Sequence, residues 1–133
     1  MDYVSVLQDS IDTAVSMKIF KNREEATMAH IFQSKLDKIP LFIFKDIDNF
    51  DPNRLQPTAE QAYPLPRPRG DKDISSVKFY QKQIQQQKEV IPIWLIQKNN
   101  KYILLDGAHR IVASYIENIK HLNAYIIHLS KIN

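Results

Sequence analysis

Residues 101–115, KYILLDGAHRIVASY, decide how the chain is read. Lys101 to Asp106 is short, apolar and strand-like, whereas the run from Ala108 onward has the composition and length of a helix. One of only two glycines in the chain, Gly107, stands between them. A glycine at a strand-to-helix junction lets the backbone turn sharply and lets a ligand approach the main chain, because no Cβ intervenes. The first N–H groups of the new helix then lack intrahelical partners and carry the positive end of the helix dipole, which makes an anion site. His109 and Arg110 add an imidazole and a forked guanidinium in the same turn. Cations at a helix N-terminus are unfavourable by about 0.3–1 kcal/mol, so their presence asks for a compensating anion such as phosphate. Asp106 would repel phosphate, and its chemistry suits a magnesium ligand or a proton acceptor for an attacking hydroxyl. A plainer reading fits the same residues: Asp-Gly is a common turn, and two basic residues in a first helical turn also suit solvated surface.

Working outward, Ile91–Ile96 and Lys101–Asp106 read as a hairpin around the turn-prone Asn99-Asn100, and residues 122–129, LNAYIIHL, read as a further strand. A helix is expected from Asp73, as N-cap, to about Gln87, with Ile74, Val77, Tyr80 and Ile84 on one face. Upstream, residues 51–73 carry five prolines and Gly70. Such a stretch is expected to run as an extended loop, either a plain surface loop, a lid over a site or a recognition peptide, although the PxxP spacing is absent. A strand is expected around Leu41–Phe44. Two helices precede it, one over about residues 2–17 with Val4, Leu7, Ile11 and Ala14 inward. The other starts at Asn22, with Glu25 completing a capping box and Met28, Ile31 and Phe32 as its buried stripe.

The resulting order, α-α-β-loop-α-β-β-α-β, is that of a mixed α+β chain. At 133 residues and 44% hydrophobic it is expected to form one domain, 1–133, in which 1–36 is a helical extension and 51–73 the Pro-rich loop. The net charge of +3 is spread along the chain and permits phosphate-bearing partners without requiring them. The absence of cysteine excludes disulfides, thiolate chemistry and Cys-ligated metal sites. No run approaches the ~20 apolar residues of a membrane span, so a cytoplasmic protein without a membrane partner is expected. His30, His121 and His128 show no metal-ligand spacing.

The stretch from Ile74 to Leu129, with YILLDGAHR at its centre, resembles the core of the ParB/sulfiredoxin superfamily, and IPLFIF resembles that fold's opening strand. The resemblance covers about two thirds of the chain. It implies a small mixed sheet packed by helices, with the two N-terminal helices as extras, and a Gly-x-x-Arg turn that binds nucleotide phosphates. Sulfiredoxins place their reacting cysteine where this chain has Ala108, so sulfinic-acid reduction is excluded. ParB partition proteins carry Gly-Glu-Arg-Arg and add a DNA-reading domain after this fold, which is not expected here. The free-serine-kinase-like branch carries Asp-Gly-His-His-Arg, matched by Asp106, Gly107, His109 and Arg110 and departing at Ala108. That resemblance implies a phosphotransferase or NTPase using ATP or ADP, with CTP also possible, and Mg2+. Asp106 would be the metal ligand or base, and His109 and Glu60 further catalytic residues. The phosphates would lie on Gly107, Ala108, His109 and Arg110. Ser76 stands where sulfiredoxins place a phosphate-binding lysine, so Lys78 or Lys82 would have to substitute. The implied acceptor is a small, serine-like hydroxyl metabolite. A DNA-associated nuclease or nucleotide-switched DNA-binding module and a non-catalytic nucleotide sensor are the alternatives.

Overall fold

The computed structural model describes residues 2–129. The chain is mixed α+β, with α1 (Tyr3–Ser16), α2 (Arg23–Phe32), β1 (Ser34–Pro40), α3 (Ala59–Ala62), α4 (Gly70–Gln85), β2 (Ile93–Lys98), β3 (Lys101–Asp106), α5 (Ala108–Ile116) and β4 (His121–Leu129). The described residues divide into two compact units, one of residues 2–38, 91–107 and 123–129, the other of residues 39–90 and 108–122.

The first unit is built on the sheet, whose strand order is β1-β4-β2-β3. β2 and β3 form the expected antiparallel hairpin, with Lys98 opposite Lys101. Asn99 and Asn100 make the turn at φ 53° and 64°, the left-handed pair that a two-residue hairpin needs. β4 runs parallel to β2, so the sheet is mixed. Four consecutive residues of β2, Ile93 to Ile96, are buried, the pattern of a strand covered on both faces. Trp94 and Ile96 join Leu105, Ile127, Val6, Ala14 and Ala29 in one core cluster, and Trp94 stacks on Tyr125 with ring centroids 4.8 Å apart.

Three expectations need correction here. The strand lies at Ser34–Pro40, while Leu41–Lys45 forms a 3-10 turn. Lys35 to Lys38 are all exposed on an edge strand, so no apolar alternation marks it; Leu41 and Phe44, three apart, are the buried residues of the 3-10 turn that follows Pro40. In α2 the Asn22 cap is present, accepting from the Glu25 N–H at 2.9 Å, and Glu25 reaches back to the Lys21 N–H at 3.0 Å. Its buried face is Ala26, Ala29 and His30, however, and Met28, Ile31 and Phe32 are exposed. In α1, Ile11 and Ala14 are buried as expected, but Val6 and Ser10 accompany them and Val4 is exposed. Both departures have one cause. His30 hydrogen-bonds Ser10 through Nε2 at 2.8 Å and donates from Nδ1 to the Ala26 carbonyl at 2.7 Å, so a polar pair occupies the seam between α1 and α2.

This pair makes stability depend on pH. Burial holds the His30 imidazole below its ordinary 6.5, outweighing the Ala26 bond. In the unfolded chain the ring takes its proton at about pH 6.5. The unfolded state therefore binds more protons below that pH, and stability present above it is lost as pH falls towards the folded-state value. The urea midpoint is expected to drop between about pH 7.5 and pH 5, and His30→Gln to flatten the drop. An unchanged slope in the variant would remove His30 from the explanation.

In the second unit, α4 packs against α5, and α3 against both. Residues 51–73 are not one extended loop. Pro52–Arg54 is a 3-10 turn, α3 is capped by Thr58, and α4 already begins at Gly70. The prolines end up between these short pieces or at their first positions, where no donor is required. Arg69, in the left-handed conformation at φ 66°, precedes α4 at its N-cap position. Asp73 is consequently inside the first turns of the helix and buried, not its cap. The expected face of α4 holds, with Val77 and Tyr80 buried.

Candidate functional site

β3 ends at Asp106, and α5 begins at Ala108. Gly107 between them has φ 131°, a conformation that side-chain-bearing residues rarely adopt. The next two side chains of α5 diverge in environment. Arg110 is 2% exposed, with its guanidinium carbon 5.8 Å from the centroid of the Tyr80 ring. His109 is half-buried, and its Nε2 lies 2.9 Å from Oδ1 of Asp73.

Asp73 joins α4 to the proline-rich segment. Its second oxygen is 3.4 Å from Nη2 of Arg67, so one buried carboxylate holds an imidazole and a guanidinium. Tyr63, also buried, meets the His109 ring edge-on at 5.3 Å and 80°. Arg54 and Arg67 both lie over the Tyr63 ring, at 4.9 and 5.1 Å from its centroid, within cation–π range. Arg54 is steadied by the Ala62 carbonyl at 2.7 Å. Arg67 keeps unused donor capacity, since its Nε is buried and makes no hydrogen bond. Gly70 belongs to this arrangement: a Cβ there would sit 2.9 Å from Cγ of Arg67 and 2.6 Å from Cδ2 of Leu65.

The electrostatics are one-sided. Arg54, Arg67, Arg69 and Arg110 act on His109 or Tyr63, against the carboxylates Asp51 and Asp73. Burial is the chief influence holding the His109 imidazole below its ordinary 6.5; the Asp73 bond and charge oppose it, and Arg69 and Arg110 push the same way as burial. The ring is therefore neutral at pH 7. A neutral imidazole that donates Nε2–H to a carboxylate keeps Nδ1 as its basic nitrogen. Burial and the nearby Asp73 push the Tyr63 phenol up, keeping its O–H.

The other residues singled out by sequence fall elsewhere. Glu60, on α3, pairs with Lys78 of α4, and both are exposed. With Lys82 they line a shallow groove of about 340 Å³. Lys78 lowers the Glu60 pKa by this bond. Ser76 is half-buried on α4. Among the described residues no hydrogen bond, ion pair or ring contact links Glu60, Lys78 or Lys82 to the His109 group.

No protein family, curated protein or solved structure matches the chain. Chemistry alone must then identify the site. Asp73, Tyr63, Arg54, Arg67 and Arg69 were not singled out by sequence as site residues. The available signal was the alternation of arginine with proline and glycine in residues 66–70, PRPRG, which places fixed cations on a stiff backbone.

Proposed function

We propose that the second unit binds the phosphates of a nucleotide and that His109 serves as the general base in phosphoryl transfer or hydrolysis. The observation that carries this reading is the neutral His109 held by Asp73, with Arg67 on the same carboxylate, Arg69 acting on its charge and Arg54 on the Tyr63 ring beside it. Guanidinium groups bind phosphate through paired charge-assisted hydrogen bonds, and two of these arginines are already held against Tyr63, which limits the ordering cost of binding. Asp73 fixes the imidazole tautomer, Nδ1 accepts the proton of the attacking hydroxyl, and the guanidinium charge offsets what develops on the transferring group. The resemblance of Ile74–Leu129 to the ParB/sulfiredoxin superfamily, closest to its free-serine-kinase-like branch, supports the same reading. It adds ATP, ADP or CTP as the nucleotide and a serine-like acceptor.

The residues fit a polyphosphate better than a bare metal. Among the described residues no group of three or more His, Asp or Glu side chains is arranged to hold a cation. Mg2+ is commonly held by one or two carboxylates together with substrate phosphates, and the resemblance gives Asp106 as its carboxylate. When bound, it would neutralise charge on the phosphates.

The test is thermal unfolding with ATP, ADP and CTP, each with and without Mg2+. A ligand bound only by the folded state stabilises it by about 2.7 kcal/mol at a hundredfold excess over its dissociation constant. At least one nucleotide is expected to raise the melting temperature, and the double variant Arg54→Ala/Arg67→Ala to abolish the rise. No shift at millimolar nucleotide, or the same shift in the double variant, rejects the assignment. Binding instead to DNA, weakening steeply with salt, would move the protein to the nucleic-acid class.

A further inference from the structure

A second cavity of the same unit lies at the other end of α5, about 13 Å along the helix axis from its N-terminus by the helical rise. Its volume is about 640 Å³, inside the range of roughly 300–1,000 Å³ typical of small-molecule sites. The walls are mainly apolar: Leu41 and Phe42 from the 3-10 turn, Leu55, and Ile116 from the last turn of α5. Phe42 is 67% exposed although it adjoins the buried Leu41, an aromatic side chain left uncovered beside a cavity.

The charged part of the lining has one sign. Lys45 and Lys120 contribute to it and no Asp or Glu does, with Asn118 and His121 as further polar residues. The Lys45 side chain makes no ion pair or hydrogen bond among the described residues, and the Lys120 amine has only a 3.3 Å contact to Asn118 Oδ1. These amines are not needed to cap α5. The Ser114 carbonyl already accepts from the Ile119 N–H at 2.9 Å and the Tyr115 carbonyl from the Asn118 N–H at 3.1 Å. The Lys120 carbonyl is likewise taken, by the Leu41 N–H at 2.9 Å.

We propose that this cavity binds a small amphipathic monoanion, with the apolar body against Phe42, Leu55 and Ile116 and the anionic head between Lys45 and Lys120. The site is independent of the phosphate reading, because it shares no residue with the His109 group. Decanoate, decanol and decyltrimethylammonium are the probes, titrated into the full chain by calorimetry and by backbone NMR.

Decanoate is expected to bind with a dissociation constant below about 1 mM and about tenfold more tightly than decanol, shifting the resonances of Ile116 and Ile119. The ammonium probe is expected not to bind. Lys45→Gln/Lys120→Gln should bring decanoate down to the affinity of decanol and leave decanol unchanged. Phe42→Ala, at an exposed position that the fold does not need, should weaken both probes alike. Equal binding of the three probes, decanoate affinity unaffected by the lysine double variant, or no binding near 1 mM would each overturn the proposal.

Discussion

His109→Gln is expected to lower turnover by roughly 10²–10⁴-fold while leaving nucleotide affinity within a few-fold, the signature of losing a general base and not a phosphate ligand. The expectation rests on position: His109 has one nitrogen on Asp73 and a ring only partly covered, whereas the arginines carry the charge for binding. The pH profile supplies a second readout. A base with its pKa held below 6.5 gives activity that rises with pH through that lowered value and is level at neutral pH. In Asp73→Asn, the charge that raises the His109 pKa is removed and the bond to the ring is no longer charge-assisted, so the acid limb should move to still lower pH. The plateau should fall as well, since Asn no longer enforces the tautomer. Turnover measured by product chromatography from pH 5 to 8 checks both. Near-native turnover in His109→Gln, or an acid limb unmoved in Asp73→Asn, would show that the pair is structural.

The difference between His109 and Asp73 explains what was legible in the sequence. His109 stands two residues after a glycine at a strand-to-helix junction, and the apolar run of β3, the Asn-Asn turn and the amphipathic α5 each carry a local signal; the hairpin, Gly107 and α5 were therefore readable. Asp73 has an equally local signal, that of an N-cap, and it misleads. The helix begins earlier, at Gly70, because Arg69 adopts the left-handed conformation, and only the fold brings its carboxylate to a histidine 36 residues away. β1 was unreadable for the opposite reason. An edge strand of sequence SKLDKIP that buries only Ile39 has no alternation to show, while the apolar LFIF beside it advertises a strand and forms a 3-10 turn. α2 shows how a polar residue displaces a stripe: Ser10 and His30 satisfy each other, so His30 turns inward and Met28, Ile31 and Phe32 face out.

Arg110 separates the fold from the site, and its replacement is expected to act on stability first. As the second basic residue of the Gly-x-x-Arg turn it resembles a phosphate ligand, yet it is 2% exposed and lies against Tyr80 of α4. Truncation to Ala removes a long side chain from packing between α4 and α5, at a cost of about 2–4 kcal/mol by analogy with other large-to-small changes at buried positions. Arg110→Met keeps most of the aliphatic length and removes the charge together with the guanidinium donors. Arg110 has interactions beyond the Tyr80 ring, and removing one partner of a buried polar contact is costly, so this variant should recover the packing part of the loss only. Urea unfolding gives the stability and calorimetry on the folded protein gives the nucleotide affinity. The expected pattern is a lowered midpoint in Arg110→Ala, a smaller lowering in Arg110→Met, and nucleotide affinity within a few-fold of native in folded Arg110→Met. A folded Arg110→Met that no longer binds nucleotide would instead make Arg110 a direct phosphate ligand. Phosphate would then have to reach beneath His109, and the anion site would centre on the first turn of α5, not on Arg54 and Arg67.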